Sequence, residues 1–238
     1  DEYDVPVAKA SSNGYYDAML EIMRPMLSTV LKDNPSLRLA VITGCLKIAK
    51  ESIFTGTNNL VSDTIQSTHL NEYFGFTQAD VDQILSDFHF ERNKTLIKSW
   101  YDGYHFGDFD VYCPWDVMNY IRDLKIDPSA RPSSYWKNTS DNAIIRSFID
   151  FAGGNITRKL ESLLSGGYII QRVDDMLTYD YLHSSEDNLW SVLYLTGYLT
   201  SVRDEAIAGD IPEGTSALMI PNEEIREIFE TTIMKWFD

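Results

Sequence analysis

The sequence predicts an α/β chain, predominantly helical, and three observations carry that prediction. Apolar residues recur at Tyr16, Met19, Leu20, Met23, Leu27 and Leu31, the roughly 3.6-residue period of an amphipathic helix. The run Leu37-Arg38-Leu39-Ala40-Val41-Ile42-Thr43 is rich in aliphatic and β-branched residues and stops at Gly44, as a buried parallel strand does. In the last third, two helical patterns precede two β-rich runs, residues 198–202 and 217–220, which can pair as a hairpin across an acidic connection containing Gly and Pro.

Composition narrows the class. Of 238 residues, 44% are hydrophobic and 13% aromatic, enough for one large core or two modest ones. The net charge of −16, from 36 acidic against 20 basic side chains, would repel a nucleic-acid backbone, whose binding needs Lys and Arg to displace counterions. Nucleic acid is therefore not an expected partner of this chain. Cys45 and Cys113 are too few for a disulfide framework and favour a reducing, cytoplasmic setting. No run approaches the ~18 apolar residues of a membrane span, and the first residues form neither a basic region nor an apolar signal core, so no membrane contact is expected. His69, His89, His105 and His183 lie apart, without Cys or carboxylates at metal-ligand spacing, and no structural metal is expected.

The elements follow in order. Residues 15–31 form the first helix, entered through Ser11-Ser12-Asn13-Gly14, and residues 37–43 the strand. With a strand before Asp1 restored, the order becomes strand, helix, strand, the unit of nucleotide-binding α/β folds. Residues 45–59 read as a crossover. Thr77 is a helix N-cap with Asp80 as its partner three residues on, and Val81, Ile84, Leu85 and Phe88 mark the buried face. A further helix covers residues 93–100. Gly103 and Gly107 permit positive-φ turns in an aromatic stretch, Trp100 to Phe106, and Pro114 opens a helix through Asp123. Tyr135 and Trp136 lie in a loop and must pack somewhere. Helices over 156–164 and 189–195 end near glycines, with a strand-like run at 168–173 between them. A closing helix from Pro221-Asn222 to Phe237 places Ile225, Ile228, Phe229, Thr232 and Trp236 on one face. Helix, helix, hairpin is the order of a winged helix.

The opening Asp1-Glu2-Tyr3-Asp4-Val5-Pro6 is similar to the end of a nucleotide-hydrolysis strand, where an Asp sits beside Mg²⁺ and a Glu beside the attacking water. The phosphate cradle Gly-x-x-x-x-Gly-Lys-Ser/Thr occurs nowhere in the 238 residues, which suggests a piece of a longer protein. Further blocks are Thr43-Gly44 with Ile48-Ala49-Lys50-Glu51-Ser52-Ile53-Phe54, Asn58-Asn59-Leu60, Phe74-Gly75-Phe76-Thr77, Trp100-Tyr101-Asp102-Gly103-Tyr104, Pro114-Trp115, Tyr135-Trp136 with Asn138-Thr139-Ser140, Leu195-Thr196-Gly197-Tyr198-Leu199 and Pro221-Asn222-Glu223-Glu224. Together, in this order, they resemble the bacterial AAA-ATPase-like proteins, P-loop ATPases often followed by a restriction-nuclease-like domain. Lys47 stands where that family more often has Arg, and Asp116 where Ser is common.

The resemblance implies a C-terminal remnant of a P-loop ATPase core with parallel strands over 1–92, a helical lid over 93–150 and a winged-helix-like domain over 151–238. It implies that the intact parent hydrolyses ATP with Mg²⁺ to drive a conformational switch. Asp1 would hold the metal, Glu2 of the Walker B pair would polarise the lytic water, and Thr43 would sense the γ-phosphate. Lys47 and Lys50 would answer phosphate, or else pair with acids in a solvated surface role. The piece itself, lacking the cradle, is expected to be inactive, with no ATP tightly bound. An interaction module without catalysis, or an ATPase regulating a nuclease-like domain of the same parent, are the alternatives. Self-association through the exposed edge of the 37–43 strand is also expected. The aromatic stretch, with Trp100, Tyr101, Tyr104 and Trp115 buried, would anchor the lid on the residual sheet.

Overall fold

The structure, a computed structural model, describes residues 1–45, 60–136, 154–175, 177 and 185–233. Among them are eight α-helices and five short strands, a mixed α/β composition dominated by helix. The helices are α1 (Val5–Asn13), α2 (Tyr16–Leu31), α3 (Gln78–Phe88), α4 (Lys94–Tyr101), α5 (Pro114–Ile126), α6 (Gly154–Leu164), α7 (Glu186–Leu195) and α8 (Glu223–Ile228). A π-helical turn, Phe229–Ile233, continues α8. The strands are β1 (Tyr104–Phe106), β2 (Phe109–Val111), β3 (Ile169–Gln171), β4 (Thr200–Ser201) and β5 (Ser216–Met219).

Local sequence explains most of these elements. α2 buries Tyr16, Leu20, Met23 and Leu31, the stripe its periodicity marks. Thr77 caps α3 in a reciprocal box: its hydroxyl accepts from the Asp80 N–H, and its own N–H donates to Asp80 Oδ2 at 2.8 Å. α5 opens on Pro114, where no helical N–H bond is lost.

Helix α1 is a correction, because the sequence reading left residues 5–13 without structure and took Ser11-Ser12-Asn13 as a helix entry. Pro6 lies in its first turn, Val7 and Ala10 are buried, and Gly14 at φ 76° closes it by donating to Ser11 O. Those three signals were present in the sequence.

A second correction concerns residues 37–43. Every strand pairing among the described residues is antiparallel, and no strand forms at 37–43. A strand exists only where a neighbour takes its N–H and C=O groups. Among the described residues this segment is tied at its start by the local Leu37 N–H to Asn34 O bond and at its end by Tyr3 N–H to Thr43 O at 3.0 Å, and it leaves Leu39 78% and Val41 77% exposed. It is neither a strand nor buried.

The two sheets are small. β1 and β2 form a hairpin in the register Tyr104↔Val111, turned at Gly107 with φ 56°. The three-stranded sheet has the order β3-β5-β4, with Ile169 opposite Leu218 and Thr200 opposite Met219. The hairpin read from residues 198–202 and 217–220 is present as β4 and β5, with β3 added on the far edge of β5.

Burial falls into two clusters. One joins Val7, Tyr16 and Leu20 of the N-terminal helices to Leu160, Trp190, Leu193, Leu218, Ile225 and Phe229. The other, around Val81, Leu85, Ile97, Tyr101, Tyr112, Tyr120 and Leu124, belongs to α3, α4 and α5. Trp115 is a third correction. At the start of α5 it is 54% exposed, because the inward face of that helix is taken by Val117, Tyr120, Ile121 and Leu124.

Candidate functional site

Residues 1–4 form a turn leading into α1, and residues 43–45 are strapped across it. Thr43 donates its hydroxyl to Asp1 Oδ1, Tyr3 N–H donates to Thr43 O at 3.0 Å, and Cys45 N–H donates to Asp4 Oδ2 at 3.1 Å. Gly44 makes the strap possible, since a Cβ there would lie 2.6 Å from Asp4 Oδ1 and 2.6 Å from the Tyr3 ring. Asp4 is buried beneath it, whereas Asp1 and Glu2 remain exposed.

Of the residues predicted from sequence, the structure therefore brings Asp1 and Thr43 into direct contact. Glu2 is adjacent in the chain, with φ 53°, a left-handed backbone that a non-glycine residue adopts at some cost. Within these residues the turn into α1 presents Asp1 and Glu2. Lys47 and Lys50 lie outside the described residues. Tyr3, Asp4, Gly44 and Cys45 hold the strap and are not among the residues the sequence assigns to the site, although Tyr3, Asp4 and Gly44 stand in the motifs it singles out.

The chemistry of this corner is one-sided. Asp1 and Glu2 offer exposed carboxylate oxygens, the hard donors that Mg²⁺ accepts, and Thr43 adds a hydroxyl beside them. Asp4 adds a third acid, so the corner repels a polyphosphate unless a cation stands between.

A second set of buried ionisable groups lies where the two clusters meet. Gly103, at φ 97°, rests against the backbone carbonyl of Pro221, and Asn222 Nδ2 donates to Asp102 O at 2.9 Å while its Oδ1 caps α8 through Ile225 N–H. Trp136 N–H donates to Glu224 Oε1 at 2.9 Å, and the Trp136 ring packs on Tyr198 with centroids 4.7 Å apart. Burial pushes the carboxyls of Asp102, Asp116 and Glu224 above the usual range, and the charge of Asp116 raises Glu224 further. Burial likewise raises the Cys113 thiol. The aromatic stretch thus anchors α4 and β1 on the C-terminal helix α8, rather than on a sheet of the N-terminal region as expected.

Outside this joint the β1–β2 hairpin is tied to the three-stranded sheet. His105 N–H donates to Thr200 Oγ1 at 2.9 Å, His105 Nδ1 lies 2.6 Å from Asp110, and Arg203 pairs with Asp110 and donates to Gly107 O. No helix among the described residues is long and apolar enough to cross a membrane.

Residues 1–54 match the family described as predicted AAA-ATPase, which supports an AAA-ATPase-like relationship for the part of the chain that carries Asp1, Glu2 and Thr43. The chain is also 28% identical over 140 residues to an uncharacterized protein in the vnfD 5′ region of Azotobacter chroococcum mcd 1. That alignment takes in 58% of this chain and 26% of the relative, so the chain spans about a quarter of the relative's length. No solved structure matches.

Proposed function

We propose that this chain contributes the acidic side of the hydrolysis site of an AAA-family ATPase. The observation that carries the reading is the Asp1–Thr43 contact inside the segment matched by the predicted AAA-ATPase family. Asp1 would hold Mg²⁺ through water, and the metal would supply charge neutralisation on the phosphates. Glu2, exposed beside it, would take a proton from the attacking water as general base. Thr43 would donate its hydroxyl to the γ-phosphate, exchanging its present acceptor, Asp1, for a phosphate oxygen. The strap from Tyr3, Asp4 and Gly44 would keep Thr43 beside the acids, since a displacement of about 1 Å costs on the order of a hundredfold in rate. The phosphate cradle would come from a segment outside these 238 residues, which contain no Gly-x-x-x-x-Gly-Lys-Ser/Thr.

The test uses the full-length natural protein. Glu2→Gln is expected to lower steady-state ATP hydrolysis by about 10²–10⁴-fold while leaving ATP affinity near wild type, as loss of a general base does. Wild-type turnover in that variant would rule the assignment out. In the 238-residue chain alone, calorimetry with ATP and Mg²⁺ should show no micromolar binding, because the acids stand without a cradle.

A second reading, an interaction module, is favoured by apolar exposure near the same corner. Ile22, Met26 and Val30 form an exposed stripe on α2, opposite its buried one, and Leu39 and Val41 are bare on the 37–43 segment. Light scattering on the 238-residue chain decides whether copies associate there; a monodisperse monomer at about 100 μM, well above the Kd of specific complexes, would remove self-association from consideration.

A further inference from the structure

Asp116 and Glu224 act on each other from the first turns of two different helices. Asp116 lies in the first turn of α5 and Glu224 in the first turn of α8, and both are 0% exposed. Glu224 Oε1 is occupied by the Trp136 N–H. Among the described residues Glu224 Oε2 and both oxygens of Asp116 lack a nitrogen or oxygen donor, and the Cys113 thiol is a weak donor beside Asp116. What faces those oxygens is the other carboxyl and, for Asp116, the Cys113 thiol. Tyr101 of α4 and Tyr104 of β1 also feel both charges, and from the loop before residue 137 come only the backbone groups of Tyr135 and Trp136. No basic side chain is among the groups that act most strongly on either carboxyl.

Two buried carboxylates that act on each other, without a cation and out of water, cannot both ionise. A single proton removes the conflict, since the acid can then donate to the remaining anion.

We propose that Asp116 and Glu224 share one proton at neutral pH and form a carboxylic acid–carboxylate latch that ties α5 to α8. The latch spans the joint between the two hydrophobic clusters, beside the Gly103–Pro221 contact and the Asn222–Asp102 bond. Removal of the proton leaves two buried anions facing each other, and the joint opens to let water reach them.

The sign follows from burial, which raises both carboxyls in the folded chain above their unfolded values. Stability from the pair is then complete below the ordinary carboxylate range and is lost as pH rises through the folded value. A depressed carboxylate, such as Asp110 beside Arg203 and His105, behaves oppositely.

Three measurements on the 238-residue chain test this. First, the infrared difference spectrum between wild type and Glu224→Gln at about pH 7, well above ordinary carboxylate pKa values, should show a protonated carboxyl C=O band. Second, between about pH 6 and pH 9 the folding constant of wild type should fall relative to Asp116→Asn/Glu224→Gln, by up to about tenfold per pH unit for one proton. Third, proteolytic cleavage within residues 127–136 should rise as the band disappears. Absence of the band, parallel pH curves for the two proteins, or cleavage unchanged across the transition would each overturn the latch. If the double variant does not fold, the loss of the band and the rise in cleavage during alkaline titration of wild type decide the matter.

Discussion

Gly103 lies directly against the backbone carbonyl of Pro221, so closely that a Cβ at residue 103 would overlap the Pro221 oxygen. The contact joins the turn after α4 to the residue that precedes the Asn222 cap of α8, and the Asn222–Asp102 bond repeats the tie one residue along. Through it the cluster of α3, α4 and α5 is held to the cluster that contains α7 and α8.

Gly103→Ala should therefore destabilise the chain by about 2–4 kcal/mol, combining the strain of a positive φ with overpacking against rigid backbone. Urea unfolding measures the loss. Gly14→Ala is the control: its φ of 76° carries a similar strain, but nothing stands within 4 Å of its Cβ position, so it should cost about 1 kcal/mol. Equal losses in the two variants would contradict the close contact at Gly103.

Trp190 and Trp115 should respond in opposite ways. Trp190 is fully buried, and Trp190→Ala should cost about 3–5 kcal/mol. Trp115 stands 54% exposed, so Trp115→Ala should cost less than about 1 kcal/mol, as surface substitutions do. Denaturant midpoints compare them directly, and a large loss at Trp115 would mean that the start of α5 is covered.

Thr77→Ala removes the hydroxyl that accepts the Asp80 N–H and that itself donates to the Asp80 carboxylate. The expected loss is about 1 kcal/mol, and Thr77→Ser should recover most of it. The Thr77 bonds also hold the Asp80 carboxyl below the usual carboxylate range. A lowered folded pKa gives stability that is present above the unfolded value and lost on acidification through the folded one, so the stability gap between wild type and the Thr77→Ala variant should narrow in acid.

The segment from residue 203 to residue 238 carries nine acids against Arg203, Arg226 and Lys235, a balance of −6. A mobility-shift assay with random duplex DNA at roughly 0.1 M salt should accordingly show no micromolar binding. Binding at that level would count against the charge argument and would favour a nucleic-acid role for the helix–strand–helix–hairpin arrangement.

Much of the local structure was legible before any coordinates. The α2 stripe, the Thr77–Asp80 box, the Pro114 start and the glycine turns at Gly103, Gly107, Gly166 and Gly197 each depend on residues within one or two turns of one another. Helix α1 was equally local and was missed because Asp1-Glu2 drew residues 1–6 into a strand-end reading. At the candidate site, Asp1 and Thr43 were both named from sequence, and their contact is the tertiary event that joins them.

What the amino-acid order determines here is short-range: periodicity, caps, turns and an excess of acids are properties of neighbouring residues and survive in any fold. Burial and partnership belong to the tertiary structure. A β-rich run becomes a strand only with a strand to pair with, and residues 37–43 have none among the described residues. An aromatic becomes core only if its helix face turns inward, which Tyr120 of α5 does and Trp115 does not. Asp116 and Glu224 read in sequence as two unrelated acids after two prolines; only the fold, which buries both where they act on each other, makes them one pair, because charge interactions depend on distance through space and on the exclusion of water, neither of which is written along the chain.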